Sequence, residues 1–297
     1  MKTGGLTTLL CTGLLFTGIP ATAAVNVVDD EGTRISLESP ATRIVSLAPS
    51  ITEILFAAGA GELIVGVVEY SDFPAAAKSI PVVGRHDSLD MEVILSLEPD
   101  LVIAWGTGNP RASVARLREL GLTVYVAEPR ELQSIPRHLE RLGLLAGTGA
   151  VATSAAADFD ARLALLAATY NHRKKVRVFY QVWNVPLITA GGNELINDII
   201  NLCGGENIFA ELNLVAPKVS EEAVLARNPD VIIASGMDVA RPEWLDNWLR
   251  WPALGAVSRG QLHFIPPELI QRHTPRALDG AEMMCEQIQQ SRDSGNL

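Results

Sequence analysis

The sequence predicts an α/β protein built from two similar lobes that one long helix connects. Three observations predict it. Short apolar segments alternate with amphipathic segments over 43–127 and again over 176–290, which is typical of parallel sheets covered by helices. Residues 92–104, EVILSLEPDLVIA, match residues 222–234, EAVLARNPDVIIA, without a gap. Between the two halves, residues 149–175 are rich in Ala and Leu and contain no proline.

The first 24 residues have the pattern of a signal peptide. Lys2 supplies a positive charge, LTTLLCTGLLFTGI supplies an apolar run, and ATA at 21–23 supplies small residues for cleavage before Ala24 or Val25. The run is shorter than the ~20 residues that cross a bilayer. Cys11 lies inside it and is expected to be discarded. We therefore expect an exported, soluble mature chain.

Composition and charge narrow the function classes. The chain has 297 residues, of which 48% are hydrophobic and 20% charged, as in globular proteins of about two domains. The net charge is −10, whereas proteins that bind nucleic acid or anionic membranes typically carry clusters of basic residues. Without Cys11, two cysteines remain, Cys203 and Cys285. In an oxidising compartment they form one disulfide or stay as two buried thiols.

The elements of the first half follow in order. VNVVDDEGTRISLE predicts a hairpin with a glycine in its turn, and RIVSLAP predicts a strand. Ser50 and Glu53 have the spacing of a capping box that opens the helix ITEILFAAG, which ends at Gly59. The next predicted elements are the strand LIVGVVEY, the helix MEVILSLEP, the strand DLVIAW, the helix PRASVARLRELG and the strand TVYVAE. Pro110 lies in the first turn of the helix PRASVARLRELG.

The second half resumes after the connecting stretch. Roughly 25 helical residues at ~1.5 Å each would make that stretch nearly 40 Å long. The predicted elements after it are the strand VRVFYQV, the helices NELINDIINLCG and EEAVLARNP, the strand DVIIAS, the helical PEWLDNWLRWPAL, the strand QLHFIP and the helix PRALDGAEMMCEQIQQ. The predicted domains are therefore an N-terminal lobe over 25–145, a connecting helix over 146–175 and a C-terminal lobe over 176–297.

Ligand sites in such lobes lie beyond the carboxyl ends of the parallel strands. The residues that follow the predicted strands include three aromatic and two charged side chains: Pro49, Tyr70, Trp105 with the loop 106–109, Trp183, Glu268 and Arg272. They suit a large, planar, mostly apolar ligand held by stacking, with the two charged residues as polar contacts. The alternative for each aromatic taken alone is an ordinary place in the core, but their shared position at strand ends favours the site.

Signals for catalysis and metal binding are weak. The sequence lacks the C-x-x-C, H-E-x-x-H and G-x-S-x-G motifs and a P-loop. GTGNPR imitates the start of a dinucleotide fingerprint, but Arg111 stands where the third glycine belongs. The five histidines show no metal-ligand spacing. We therefore expect neither an enzyme nor a metal site.

Several segments resemble the periplasmic cobalamin-binding proteins of vitamin ABC importers, within the superfamily of iron-siderophore and haem receptors. These segments are RIVSLAPSITEILFAAG, YSDFP, LEPDLVIAW, NLCGGENIF and VSEEAVLARNPDVII, and the likeness runs from Arg43 to Cys285. The resemblance implies the class III periplasmic binding protein fold, with two Rossmann-like lobes on a single backbone helix. It also implies a ligand held in the cleft between them and a limited hinge motion.

The resemblance also implies roles for individual residues. Tyr70 and Trp105 match aromatic contacts to the corrin, and Glu268 and Arg272 match a carboxylate and an arginine contact. Trp183 lies within one residue of an aromatic contact. Cys203 and Cys285 match the disulfide pair of the family, and Glu92 and Glu222 match surface glutamates that dock on arginines of the permease dimer.

Two positions depart from the family pattern, since His86 and Ala216 each stand where a cobalamin-binding member has tryptophan. His86 can hydrogen-bond ligand amides, ligate cobalt or iron, or make no contact. The expected function is a monomeric periplasmic receptor that delivers cobalamin or a related corrinoid to an ABC permease, without a cofactor of its own. The alternatives are a haem or ferric-siderophore receptor of the same fold and, in a different class, an enzyme.

Overall fold

The computed structural model describes residues 24–236 and 240–295, so the predicted signal peptide lies outside the described residues except for its last position. The strands are β1 (Val25–Val28), β2 (Arg34–Leu37), β3 (Ile44–Ser46), β4 (Ile64–Val67), β5 (Gly84–Arg85), β6 (Ser88–Leu89), β7 (Leu101–Trp105), β8 (Val124–Ala127), β9 (Val176–Asn184), β10 (Leu187–Thr189), β11 (Gly205–Asn207), β12 (Val231–Ala234) and β13 (Leu262–Phe264). The helices are α1 (Pro49–Ala57), α2 (Met91–Ser96), α3 (Arg111–Glu119), α4 (Ser134–Leu145), α5 (Gly149–Tyr170), α6 (Leu195–Leu202), α7 (Glu221–Arg227), α8 (Gly255–Ser258), α9 (Pro267–Ile270) and α10 (Ala277–Ser294).

The first sheet has four parallel strands in the order β4-β3-β7-β8. Its strands read as apolar runs because helices cover both faces. The predicted hairpin forms separately as the antiparallel pair β1–β2, with Gly32 in its turn at a φ of 82°. Its inward residues pack into the core beside α4. We call the elements from β1 to α4 the N-terminal lobe.

The second sheet, in what we call the C-terminal lobe (β9 to α10), has the order β10-β9-β12-β13. Strands β9, β12 and β13 are parallel, as expected. Two three-residue strands that the sequence did not reveal also pair with β9: β10 is antiparallel to its end and β11 parallel to its start. The mixed α/β architecture with parallel sheets agrees with the predicted fold class.

The repeated sequence forms the same helix–turn–strand unit twice, as α2–β7 and α7–β12. The residue before the proline of each copy, Glu98 or Asn228, has a left-handed backbone with φ of 45° or 44°. The aspartate after each proline then ties the new strand to its neighbour. Asp100 accepts the Arg43 backbone N–H at 3.0 Å, and Asp230 accepts that of Arg177 at 2.9 Å. The repeat therefore fixes how each sheet continues after the helix.

The connecting helix α5 is 22 residues long, which corresponds to about 33 Å. It ends at Tyr170 rather than Lys175 and is preceded by the separate helix α4, which the sequence reading did not resolve. The buried residues of α5 are mainly Ala and Leu with Phe159, and they pack against α4 and α10. It thus packs against helices of both lobes.

Two local predictions were wrong. The capping box does not form: α1 begins at Pro49, its N-cap Ala48 has no side-chain cap, and Glu53 is buried. Pro110 precedes α3 as its N-cap instead of lying in its first turn. The segment PEWLDNWLRWPAL is helical as predicted, and its helix over 243–250 is of the 3₁₀ type. The capping motif failed because Glu53 finds stronger partners far away in sequence.

Cys203 at the end of α6 and Cys285 in α10 form a disulfide. Both residues are fully buried, so the bond joins two helices inside the core. Within the described residues, 24–236 and 240–295, no helix combines the length and apolarity needed to cross a membrane.

Candidate ligand-binding site

A cavity of about 690 Å³ lies between the two lobes. The N-terminal lobe contributes loops at the carboxyl ends of its strands, with Pro49, Tyr70, His86, Trp105, Glu128 and Arg130 among them. The opposite wall comes from the C-terminal lobe and includes Val182, Ala190, Glu194, Val215, Ala216 and His273. Arg272 also lines the cavity. The volume is in the range of cavities that bind organic ligands of moderate size.

Asn109 holds the aromatic wall of the N-terminal lobe in place. Its side chain is almost fully buried, and its Oδ1 accepts the Trp105 backbone N–H at 2.6 Å. Its Nδ2 donates to the backbone carbonyls of Leu47, at 3.0 Å, and His86, at 2.8 Å. The rings of Trp105 and His86 lie with centroids 6.1 Å apart. One buried amide thus fixes the two loops that present these rings.

Tyr70 lies on the same side of the cavity with its residue surface 72% exposed. Its backbone has a φ of 65°, which is rare for a residue with a large side chain and costs of order 1 kcal/mol or more. The Arg272 guanidinium of the other lobe donates to the Tyr70 carbonyl at 3.3 Å. The conformation that directs Tyr70 to the cavity is therefore held from across the cleft.

A network of ion pairs joins the lobes beside the cavity. Arg276 donates two hydrogen bonds to the Glu53 carboxylate, at 2.9 and 2.8 Å, and Arg272 donates a third at 2.8 Å. Arg272 also donates to Asp72 at 2.9 Å, and the Arg276 guanidinium lies 3.8 Å from the centre of the Phe73 ring. Charge-assisted bonds of this kind are strong. Both guanidinium groups are therefore engaged by protein partners.

Burial shifts the pKa values of two titratable side chains in the C-terminal wall. Glu194 is the N-cap of α6 and accepts the Ile196 backbone N–H at 2.8 Å. Burial nevertheless raises the pKa of its carboxyl group to about 7. Burial also lowers the pKa of His273 to about 4, so this imidazole is neutral at pH 7. The wall is thus poor in positive charge.

Five of the seven predicted ligand residues line the cavity, namely Pro49, Tyr70, His86, Trp105 and Arg272. Trp183 and Glu268 are not among the lining residues, and their contact with a ligand stays a prediction. Side chains alternate between the two faces of a strand. Because Val182 lines the cavity, Trp183 turns away from it and meets Trp244 edge to face at 6.3 Å. Glu268 lies in α9, before the segment 271–273 that reaches the cavity.

Sequence reasoning missed Glu194 and His273, and it placed Asn109 only within the strand-end loop 106–109, without a role of its own. Glu194 follows the pair Gly191–Gly192 directly before a helix, and this loop–helix boundary is the signal that points to it. His273 follows Arg272, which was predicted, but a lone histidine carries no pattern. Ala216, noted as a departure from the family, also lies on the cavity wall.

The two predicted docking glutamates occupy equivalent places. Glu92 lies in the first turn of α2 and Glu222 in that of α7, and both are exposed. Each helix has a side-chain cap: Asp90 accepts the Val93 N–H and Ser220 accepts the Ala223 N–H. Hydrogen bonds from its own backbone N–H and from Ser220 lower the pKa of Glu222. Both carboxylates lie at the surface, and other side chains cap the two helices.

Residues 24–236 and 240–295 contain no group of three or more His, Cys, Asp or Glu side chains that could hold a metal ion.

Comparisons with known proteins agree in family and fold. The model of a family described as periplasmic binding protein matches residues 44–269. The vitamin B12-binding protein of Vibrio cholerae serotype O1 is 40% identical over 247 residues, which cover 83% of this chain and 88% of the relative. The vitamin B12-binding protein of Yersinia pestis (strain Pestoides F) is 34% identical over 248 residues, with coverage of 84% and 86%.

Solved structures give the same result. The periplasmic vitamin B12 binding protein BtuF of Vibrio cholerae superposes with a TM-score of 0.78 at 38% identity, over 85% of this chain and 98% of that one. A periplasmic haem-binding protein from Pseudomonas aeruginosa superposes with a TM-score of 0.72 at 25% identity, over 82% and 91%. The similarity spans nearly the whole described structure in both cases.

Proposed function

The chain belongs to the periplasmic binding protein family, and from this premise we propose that it captures cobalamin or a related corrinoid in the periplasm. It then delivers the ligand to the permease of an ABC importer. It acts as a monomeric receptor without catalytic activity, a resident cofactor or a nucleic-acid partner. The work of transport comes from the importer's ATPase.

The observation that carries this proposal is the composition of the cavity wall. Trp105, His86 and Tyr70 present flat surfaces from one lobe, and Val182, Ala190 and Val215 present small apolar surfaces from the other. A large planar macrocycle can stack on the first wall and be covered by the second. The relatives named as vitamin B12-binding proteins, at up to 40% identity over most of this chain, support the corrin ring as that macrocycle.

The charges beside the cavity also favour a ligand without carboxylates. A corrinoid carries neutral carboxamides around its ring, whereas haem carries propionates and many ferric siderophores are anionic. Anionic ligands need free cations in the wall, but Arg272 is engaged by Glu53 and Asp72. Arg130 lies at the margin, exposed and 3.8 Å from Glu128. The neutral periphery of a corrinoid suits such a wall better.

A haem or ferric-siderophore receptor is the second candidate. Two cavity residues, Tyr70 and His86, have side chains that can ligate iron. The similarity to the Pseudomonas aeruginosa haem-binding protein is consistent with it. His86 distinguishes the two candidate functions, because an imidazole can bind a metal ion or hydrogen-bond an amide.

Delivery requires a contact with the permease, and we propose that Glu92 and Glu222 make it. A two-fold symmetric permease presents each basic residue twice. A single chain can match this arrangement by carrying the same acidic contact in each lobe, as the two copies of the repeat do. Such charges outside the cavity speed and orient docking without touching the ligand.

Isothermal titration of the purified mature chain against cyanocobalamin, cobinamide, haemin and a ferric siderophore tests the proposal. We expect both corrinoids to bind and the other two ligands to bind more weakly or not at all. Tight binding of haemin alone would establish the second candidate instead. A visible spectrum of each bound ligand, compared between the wild type and His86→Ala, reports whether the imidazole ligates the metal.

A further inference from the structure

Glu194 stands out in the cavity wall because one of its carboxylate oxygens lacks a partner. Oε2 accepts the Ile196 N–H and so anchors the carboxyl group at the start of α6. For Oε1 the described residues, 24–236 and 240–295, provide neither a hydrogen bond nor an ion pair. Glu194 itself lines the cavity. A rigidly held acceptor is therefore available to whatever occupies the cleft.

No positive charge in the described structure compensates this carboxyl group. The titratable groups that face it or share the cavity are Tyr70, Tyr180, Asp198, His86, Glu128, Arg130, Arg272 and His273. Tyr180 and His273 are uncharged at pH 7, since burial raises the pKa of the phenol and lowers that of the imidazole. The Asp198 carboxyl is a second acid on the same helix and adds to the rise of the Glu194 pKa. Arg272 is paired with Glu53 and Asp72.

We propose that Glu194 is a specificity-determining residue, which accepts a hydrogen bond from a peripheral carboxamide of the corrinoid and rejects ligands that carry a carboxylate at that place. The inference rests on the proposed function and adds the selection it makes among macrocycles. Corrinoids with intact amides present N–H donors, whereas incompletely amidated corrinoids and haem present carboxylates.

Both attraction to an amide and repulsion of a carboxylate favour the amidated ligand at Glu194. An amide N–H that meets a carboxylate forms a charge-assisted bond, stronger than a neutral one. A ligand carboxylate at the same place meets a like charge in a partly desolvated wall, where repulsion is weakly screened. A built-in repulsion of this kind separates similar ligands better than attraction alone.

The discrimination must depend on pH in a defined direction. Because the pKa of Glu194 is raised to about 7, its carboxyl group is mainly protonated at pH 6 and mainly ionised at pH 8. Ligand carboxylates stay ionised throughout this range. Rejection of a carboxylate ligand is therefore weak at pH 6 and strong at pH 8.

The test compares cobinamide with cobyrinic acid, in which carboxylates replace the peripheral amides. Binding of both is titrated at pH 6 and pH 8 to the wild type, to Glu194→Gln and to Asp198→Asn. Asp198→Asn is the matched control, since it removes an equal charge one turn further along α6 from a residue that does not line the cavity.

We expect Glu194→Gln to strengthen cobyrinic acid binding at pH 8 by about tenfold or more, with a much smaller gain at pH 6. Its affinity for cobinamide should fall by about three- to tenfold at pH 8, because a neutral amide bond replaces a charge-assisted one, and should change little at pH 6, where Glu194 is mainly protonated. Asp198→Asn should discriminate as the wild type does at pH 8 and somewhat more strongly at pH 6, because loss of the Asp198 charge lowers the pKa of Glu194. Equal discrimination by Glu194→Gln and the wild type at pH 8 would overturn the role of Glu194 while corrinoid binding stands. Failure of every variant and the wild type to bind either cobinamide or cyanocobalamin would overturn the proposed function itself.

Discussion

The Glu53 carboxylate of the N-terminal lobe and the Arg276 guanidinium of the C-terminal lobe are joined by two parallel hydrogen bonds, of 2.9 and 2.8 Å. Glu53 is 3% exposed, and a second arginine, Arg272, shares one of its oxygens. The pair thus connects the lobes through space, besides the covalent connection through α5. A buried pair of this geometry is costly to break because each remaining charge loses its partner.

We expect Glu53→Ala to lower the free energy of unfolding by about 3–5 kcal/mol, the range for removing one partner of a buried ion pair. Arg272 and Arg276 would both lose an acceptor. The measurement is urea denaturation followed by circular dichroism. Glu62→Ala, which removes an exposed glutamate, serves as control and should change stability by no more than about 0.5 kcal/mol. Similar midpoints for both variants would show that the bridge adds nothing to stability.

Trp105→Ala should weaken corrinoid binding by about 1–3 kcal/mol, because a stacked aromatic surface is lost. A Cβ atom added at Gly108 would lie 1.7 Å from the Trp105 ring, so Gly108→Ala should displace the ring and weaken binding as well. Isothermal titration measures both. Trp251→Ala removes a partly exposed tryptophan outside the cavity and should leave affinity unchanged. An unaltered dissociation constant for Trp105→Ala would exclude this ring from the site.

Replacing Cys203 and Cys285 together by alanine should destabilise the chain by about 4 kcal/mol, the chain-entropy value for closing a loop of this size. The two cysteines are 82 positions apart. Denaturant melts under non-reducing conditions measure the loss, and alkylation of the unreduced wild type followed by mass spectrometry checks the bond. Two alkylated thiols in protein isolated from the periplasm would contradict the disulfide.

The double charge reversal Glu92→Arg with Glu222→Arg should leave corrinoid affinity unchanged, because neither residue lines the cavity. It should abolish binding to the permease and support no uptake, since basic residues on both sides repel each other. Glu62→Arg with Glu206→Arg is the matched control, with two other exposed glutamates reversed. Normal transport by the first double variant would reduce both glutamates to charges at helix ends, worth about 0.3–1 kcal/mol at most.

The sequence predicts well what depends on local pattern. Hydrophobic periodicity locates the principal strands of both sheets, and glycines such as Gly59 and Gly121 mark helix ends with positive φ. Prediction from sequence fails where a partner distant in the chain determines what a side chain contacts. Glu53 has the spacing of a capping residue, yet arginines more than 200 positions away hold its carboxylate. The strands β10 and β11 are too short to show a period.

The candidate site likewise contains residues that local pattern predicts and residues that it does not. Aromatic residues at strand ends, such as Trp105, are visible from the alternation of strands and helices. Trp183 lies one residue from the cavity-lining Val182, and a one-residue difference inverts the face of a strand. Glu194, His273 and Asn109 come from loops, whose path depends on the packed lobes rather than on local sequence. Their roles follow only from three-dimensional contacts.

The position of Glu53 along the chain sets the order in which the protein can complete its fold. Its partners Arg272 and Arg276 follow it by 219 and 223 positions. A chain that enters the periplasm amino terminus first can assemble the first sheet while α10 has not yet crossed the membrane, since domains generally fold as units in that order. Completion of the contact between the lobes therefore waits for residues 272–276, and a chain truncated before residue 272 would leave the Glu53 carboxylate without both of its arginine partners.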